Sequence, residues 1–244
     1  MASVRAHYDE HLGPIYGWMV GDFDQAIAAA RAELRAAGVA PGGGASAVDL
    51  GAGLGAHAVA LADAGYAVTA IDTCTPLLDE LRLLARRHAI NVVHGDLVQL
   101  QRLCPGPHRV ILCMGDTLTH LPSLDAVERL FDEVAAALAP GGRFVATFRD
   151  YSGPVRRGVD RIIPVRQDDQ RMLTCVLEYT DTAVVVHDLV HERGPAGWTL
   201  KVSSYRKLRF VPQWARTALG RRGLTVQLQA GANGMARLVA MRPA

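Results

Sequence analysis

The chain has little cysteine, and the four residues present, Cys74, Cys104, Cys113 and Cys175, show no CxxC or CxxH spacing. A disulfide framework and a metal site are therefore not expected, and a reducing cytoplasm fits. Net charge is small as well, with 26 basic against 24 acidic side chains among 244 residues. That balance gives no one-signed field of the kind that draws nucleic acid. Long apolar runs are missing: nothing reaches the roughly 18 consecutive apolar residues of a membrane helix. Residues 1–25 carry mixed charges and Pro14 where a leader peptide would be apolar, so no signal peptide is expected. Apolar residues, in contrast, make up half of the chain. This suits one α/β domain with a large core and an appendage.

One stretch organises the rest. Ala47–Asp72 opens with a short apolar run, Ala47 to Leu50. Glycines follow at 51, 53 and 55, then a helical pattern from about Leu54 to Ala64. A second apolar run from Tyr66 to Ile71 ends on Asp72. Strand, glycine turn, helix, strand and acid form half of a nucleotide-binding βαβ unit. Gly51 and Gly53 let the backbone approach a ligand with no Cβ in the way. The helix that follows points free N–H groups into the turn. Asp72 stands where a carboxylate accepts hydrogen bonds from ribose hydroxyls. Two ligands satisfy this pattern. Gly51-x-Gly53-x-x-Ala56 is a dinucleotide fingerprint, whereas Asp49-x-Gly51-x-Gly53-x-Gly55 is an acid followed by alternating glycines.

The remaining segments extend the same unit. Residues 2–24 are rich in aromatics, Tyr8, Tyr16, Trp18 and Phe23 among them, and form either a lid or a packing layer. A helix runs from Asp24 to Ala37 with Gly38 as its stop. Further helices are expected from Pro76 to about His88, from Ser123 to Leu138 and from Pro212 to Arg222. Ile90–His94, Arg109–Met114 and Arg143–Phe148 read as strands, the second nearly continuous in apolar residues as a central parallel strand is. Each delivers polar residues to the same rim: Asp96, then Gly115 to Leu121, then Arg149-Asp150-Tyr151. From Val155 onward, 161–166, 173–179, 183–190 and 199–210 read as antiparallel strands, and Leu224–Leu228 with Met235–Met241 as a closing hairpin. The expected units are 1–40 (lid and helix), 41–152 (nucleotide core), 153–211 (inserted β wall) and 212–244 (closing helix and hairpin).

Helix, Leu138-Ala139-Pro140-Gly141-Gly142, then strand resembles the fifth-strand signature of class I S-adenosylmethionine (SAM) methyltransferases. The glycine turn, Asp72 and Asp96 agree with it. More narrowly, Met114-Gly115-Asp116-Thr117-Leu118-Thr119-His120-Leu121 resembles the Leu-Gly-Asn-Ser-Phe-x-His-Leu segment of the glycine N-methyltransferase group. Phe148-Arg149-Asp150-Tyr151 is similar to its His-Arg-Asn-Tyr, and Met19-Val20-Gly21-Asp22 to its Tyr-Ile-Gly-Asp. The resemblance implies a doubly wound, mostly parallel seven-stranded Rossmann-like sheet with an antiparallel last strand. An inserted antiparallel β subdomain would stand on the substrate side.

The implied activity is SAM-dependent methyl transfer to a small-molecule nucleophile, an amine that bears a carboxylate in the relatives. Alternatives are O- or C-methylation of an aromatic compound and, from the fingerprint, an NAD(P)-dependent oxidoreductase. Neither nucleic acid nor membrane is an expected partner, and the oligomeric state is open. SAM would lie over Asp49, Gly51, Ala52, Gly53 and Gly55. Asp72 would meet its ribose and Asp96 its adenine, and Thr73, Leu97, Cys113, Met114 and Trp18 are the further expected cofactor contacts. By the resemblance, Arg149 grips the acceptor carboxylate and Asp116 meets its amine. His120 is a competing base, and Tyr205 on the inserted wall faces inward. The group's lid tyrosine is Met19 here, and its SAM-carboxylate arginine falls near Gln25-Ala26.

Overall fold

A computed structural model describes residues 2–85 and 87–244, without the side chains of Leu84 and Ala85. In chain order its main elements are α1 (Phe23–Ala36), β1 (Ser46–Leu50), α2 (Ala56–Asp63), β2 (Ala67–Asp72), α3 (Thr75–Ala85), β3 (Asn91–His94) and β4 (His108–Cys113). Then come α4 (Leu124–Ala137), β5 (Leu138–Arg149), β6 (Ile162–Gln167), β7 (Arg171–Tyr179), β8 (Ala183–Gly194) and β9 (Gly197–Leu208). α5 (Pro212–Gly220), β10 (Thr225–Ala230) and β11 (Met235–Met241) close the chain.

Seven strands form one sheet in the order β10-β11-β5-β4-β1-β2-β3. β1 to β5 are parallel, and β11 runs antiparallel to both of its neighbours. The central strands are buried on both faces, so apolar residues run consecutively in them, as in Val110 to Cys113, instead of alternating with polar ones. α1, α2 and α3 cover one face through Ile27, Leu34, Val59, Leu61, Leu78 and Leu81. α4 and α5 cover the other, where Phe131 packs edge-on to Phe144 with ring centroids 6.2 Å apart. Caps set the helix starts: Asp22 accepts from Gln25 N at 3.1 Å, and Ser123 from Ala126 N at 3.2 Å. Both carry the short polar side chain that an N-cap requires.

Pro140-Gly141-Gly142, expected as a break ahead of the fifth strand, lies inside it. β5 starts at Leu138 directly after α4, Gly141 has φ +67°, and the pairing with β4 shifts register between His108 and Val110. The glycines bend the strand instead of interrupting it. α3 ends at Ala85, ahead of the expected His88.

β6 to β9 form a second, antiparallel sheet in sequential order. Its register places Leu173, Cys175 and Leu177 on one face with Val186, Asp188 and Val190 of β8 and Ser203 and Tyr205 of β9. Residues 4–20, a run of short helical turns, lie against that face, with Leu12 and Ile15 packed on Leu173 and Val190. The same segment also touches the first sheet's helices, where Asp9 accepts from Thr75 N at 3.2 Å. It therefore bridges the two sheets over the carboxyl ends of β1, β2 and β4.

Candidate active site

Between the bridge and the strand ends lies a cavity of about 600 Å³, within the range of small-molecule sites. Its floor is the glycine turn. Gly51 has φ +70° and Gly53 φ +55°, left-handed conformations that strain any other L-residue. A Cβ on Gly51 would come within 2.5 Å of Thr117 Cγ2, whereas the space above Gly53 is open to Tyr16 at 4.0 Å. Asp72 accepts from Gly53 N and from Cys74 N, both at 2.8 Å, which shapes the turn around its carboxylate. Burial raises the Asp72 pKa, and those amide donors oppose the rise.

Asp49 sits beneath the turn, 2% exposed, and its Oδ2 has no hydrogen-bond partner among the described residues. Burial pushes its carboxyl up to about 6. An orphaned buried carboxylate oxygen at a cavity wall is a place for a cationic ligand group. These features fit SAM, whose sulfonium and amino groups are positive and whose ribose offers two hydroxyls. Ala52, Gly55, Thr73, Asp96, Leu97 and Met114 line the same cavity. Asp96 also caps the following turn by accepting from Val98 N at 3.1 Å.

Two expected cofactor residues lie elsewhere. Cys113 is fully buried in the core, on the opposite face of β4 from Leu112, and the cavity begins one residue later at Met114. Trp18 turns to the inserted sheet, where its indole Nε1 donates to Asp168 and Arg166 lies over the ring at 5.7 Å. Tyr8 and Tyr16 of the same segment line the cavity in its place.

The acceptor-side residues also differ from expectation. Arg149 is exposed and outside the cavity; its contribution is its backbone N–H, which donates to Asp116 Oδ1 at 2.9 Å. Asp116 is buried, outside the cavity lining, and fully engaged. Oδ1 also accepts from Thr119 Oγ1 at 2.8 Å, and Oδ2 accepts from Lys207 Nζ at 2.6 Å and Tyr151 OH at 3.3 Å. No oxygen is left over for an incoming amine. Burial alone would raise the Asp116 pKa; the Lys207 ammonium and the Arg149 backbone N–H override it and hold it below the usual carboxylate range. Burial likewise pulls Lys207 down, but Asp116 beside it leaves the ammonium more basic than usual.

His120 does line the cavity. Its Nε2 is buried with no hydrogen-bond partner among the described residues. Burial, then the Lys207 charge, bring its pKa down to about 3, so the imidazole is neutral. The ring stands edge-on to Tyr8 and to Tyr205, each at 5.6 Å between centroids. Tyr205 is buried, stacked on His7 at 4.1 Å, and lies behind His120 instead of lining the cavity itself. Burial also keeps Tyr8 and Tyr16 as neutral phenols. This end of the cavity is thus an aromatic enclosure around a neutral imidazole with an unpartnered Nε2.

The aromatic segment expected as lid or packing layer supplies Tyr8 and Tyr16 to the cavity, whereas sequence reasoning did not single out Lys207. Lys207 carried a usable signal. It is one of only two lysines in the chain and follows Tyr205 by two residues, hence on the same face of a strand.

Residues 47–142 match a family described as a methyltransferase domain. The glycine/sarcosine N-methyltransferase of Halorhodospira halochloris is 30% identical over 115 residues, 46% of this chain and 43% of that relative. The chain thus spans less than half the length of that curated relative. Among solved structures, the CcbJ methyltransferase from Streptomyces caelestis superposes with a TM-score of 0.79 at 21% identity, covering 97% of this chain and 98% of that one. CalS10, an amino pentose methyltransferase from Micromonospora echinaspora solved with SAM bound, superposes at 0.75 with 17% identity and 94% and 95% coverage. At these identities the two superpositions speak for the fold.

Proposed function

We propose that the chain, whose residues 47–142 match a methyltransferase domain, is a class I SAM-dependent methyltransferase and that it methylates the nitrogen of a small-molecule amine. The observation that supports this reading is His120: a neutral imidazole with an unpartnered Nε2 in an aromatic enclosure beside the glycine turn. The family resemblance to a glycine/sarcosine enzyme points to nitrogen as well. A carboxylate grip by Arg149 and an amine contact by Asp116 are not part of the proposal, because neither side chain lines the cavity.

Bound SAM supplies a methyl carbon made electrophilic by the adjacent sulfonium. Asp49 and Asp72 would hold its positive and hydroxyl-bearing parts. The backbone at Gly51 and Gly53 permits close approach. Tyr8 and Tyr16 close the cavity above and keep water out, which leaves the nucleophile's lone pair unsolvated. His120 Nε2 would accept a hydrogen bond from the acceptor N–H and so orient the amine lone pair toward the cofactor; as the C–N bond forms the C–S bond would break, S-adenosylhomocysteine would leave, and the ammonium proton would pass to solvent on product release.

The test is His120→Asn. Turnover with a methylated amine product should fall about 100-fold, while the SAM dissociation constant measured by calorimetry stays unchanged. Turnover within about twofold of the parent would remove His120 from the reaction.

A further inference from the structure

The inserted sheet is covered on one face only. On that face Leu173 and Val190 are buried against residues 4–20, and Leu177, Val186 and Tyr205 against Val4 and Tyr151. Side chains alternate along a strand, so the residues between these point the other way. An antiparallel sheet with one wet face should be polar there. This one is not. Trp198, Leu200 and Val202 of β9 share the outward face and are 53, 52 and 55% exposed. Register sets Met172 of β7 in the row of Leu200, and Leu189 of β8 beside Val202. Ile162 of β6 adds a side chain 51% exposed in the row next to that of Val202. Single exposed apolar residues are ordinary, but a contiguous patch over adjoining strands marks an interaction surface.

The layout of the face says what kind. Its charges stand at the two ends, Glu178 and Arg206 at one and Arg193 at the other, with the apolar rows between them. That is the neutral centre and charged rim of a protein interface, and Trp and Met are residue types such centres favour. The size also fits. From Val185 to Arg193 along β8 the face runs roughly 30 Å, and four strands give it a width of roughly 19 Å. The flat footprint is then ~600 Å², and the relief of side chains such as Trp198 and Met172 carries the accessible area toward the roughly 800 Å² per partner of a stable dimer.

We propose that this open face is a dimer interface and that its occupant is the same face of a second copy of the chain. Two identical sheets share one twist, so they stack face to face with their strands about 30° apart and interdigitate in a layer about 10 Å thick. A two-fold axis through the apolar rows sets each face against itself, as an isologous contact requires. None of Ile162, Met172, Leu189, Trp198, Leu200 and Val202 lines the cavity, so association leaves the ligand site free.

Sedimentation equilibrium of the full chain, from about 1 to 100 μM, tests this. The parent should sediment at twice the 26.2 kDa mass of one chain at the upper end of that range. Val202→Lys sets two like charges against each other near the axis and should weaken association at least about 100-fold. Because Val202 is more than half exposed in the single chain, the variant should fold, with SAM affinity by calorimetry unchanged. Leu83→Lys, at a position 63% exposed on α3, should leave the dimer intact. A parent that stays monomeric over the whole range overturns the proposal. So does a dimer that survives both Val202→Lys and Trp198→Arg, because its contact then lies elsewhere. Should Val202→Lys not fold, Trp198→Arg decides alone. Flotation of a monomeric parent with phosphatidylcholine–phosphatidylglycerol vesicles, lost in Val202→Lys, would assign the face to a lipid surface and overturn the dimer equally.

Discussion

Asp49 gives the most quantitative prediction. Its carboxyl is 2% exposed, with one oxygen unpartnered, and burial places its pKa at about 6. The unfolded value is near 3.9. Because the folded pKa is raised, the folded chain holds a proton between about pH 4 and 6 that the unfolded chain has released. Folding stability is then highest below that window and falls by ~3 kcal/mol as pH rises through it, two pKa units at 1.36 kcal/mol each. A cationic ligand group placed against Asp49 reverses the preference and expels the proton. SAM binding at pH 5 should therefore release close to one proton, and affinity should be about tenfold weaker at pH 5 than at pH 7.5. Asp49→Asn should bind SAM weakly at both pH values, with this pH dependence gone. Asp72, whose carboxyl is also raised by burial, is present in both proteins and so cancels from the comparison. Calorimetric titrations in two buffers of different ionisation enthalpy count the protons. Identical proton release by the parent and Asp49→Asn would refute the assignment of Asp49 to the positive end of the ligand.

Two further outcomes follow from packing. His7 is buried between Asp188 Oδ2, 2.9 Å from its Nε2, and Ser203 Oγ, 2.8 Å from its Nδ1, which ties the N-terminal bridge to the inserted sheet. His7→Phe keeps a ring but leaves Asp188 Oδ2 without its partner, Oδ1 still accepting from Cys175 Sγ; it should cost about 2 kcal/mol and speed hydrogen exchange in residues 4–20 more than in β1 or β4, and uniform exchange would contradict the anchoring role. Phe131 is fully buried on the face of the sheet away from α1 to α3. Phe131→Ala should lower stability by about 3–5 kcal/mol in urea titrations with the SAM dissociation constant unchanged, and a weakened SAM affinity would show that this side of the core supports the site after all.

The parts of the fold legible in the sequence are those with a period or a forced backbone. The Asp49 to Asp72 unit could be read because glycines at 51, 53 and 55 and an acid at a strand end answer a geometric need. β4 could be read because a strand buried on both faces has nowhere to place a polar side chain. The same property hid the fate of Cys113: hydropathy does not say which side of such a strand faces the cavity. Trp18, Tyr8 and Tyr16 are equally aromatic, and only the path of the short helical turns decides which of them look inward. Arg149 and Lys207 show the opposite lesson. A resemblance brought attention to the arginine after β5, whose side chain lies outside the cavity, while Lys207, two residues past Tyr205 on the same strand face, went unread. Asp116 follows β4 but is turned away from the cavity, and one of the groups that engage it, Lys207, lies 91 residues away.

The central claim is transfer of methyl from SAM to a small-molecule nitrogen. Methyl-labelled SAM, incubated with the protein and a panel of amino sugars, amino acids, simple amines and phenols, tests it by mass spectrometry of the products. The prediction is label on an amine nitrogen, with one S-adenosylhomocysteine formed per methyl transferred and the signal lost in His120→Asn. Label on a phenolic oxygen or ring carbon, or no S-adenosylhomocysteine formed with any amine, contradicts it.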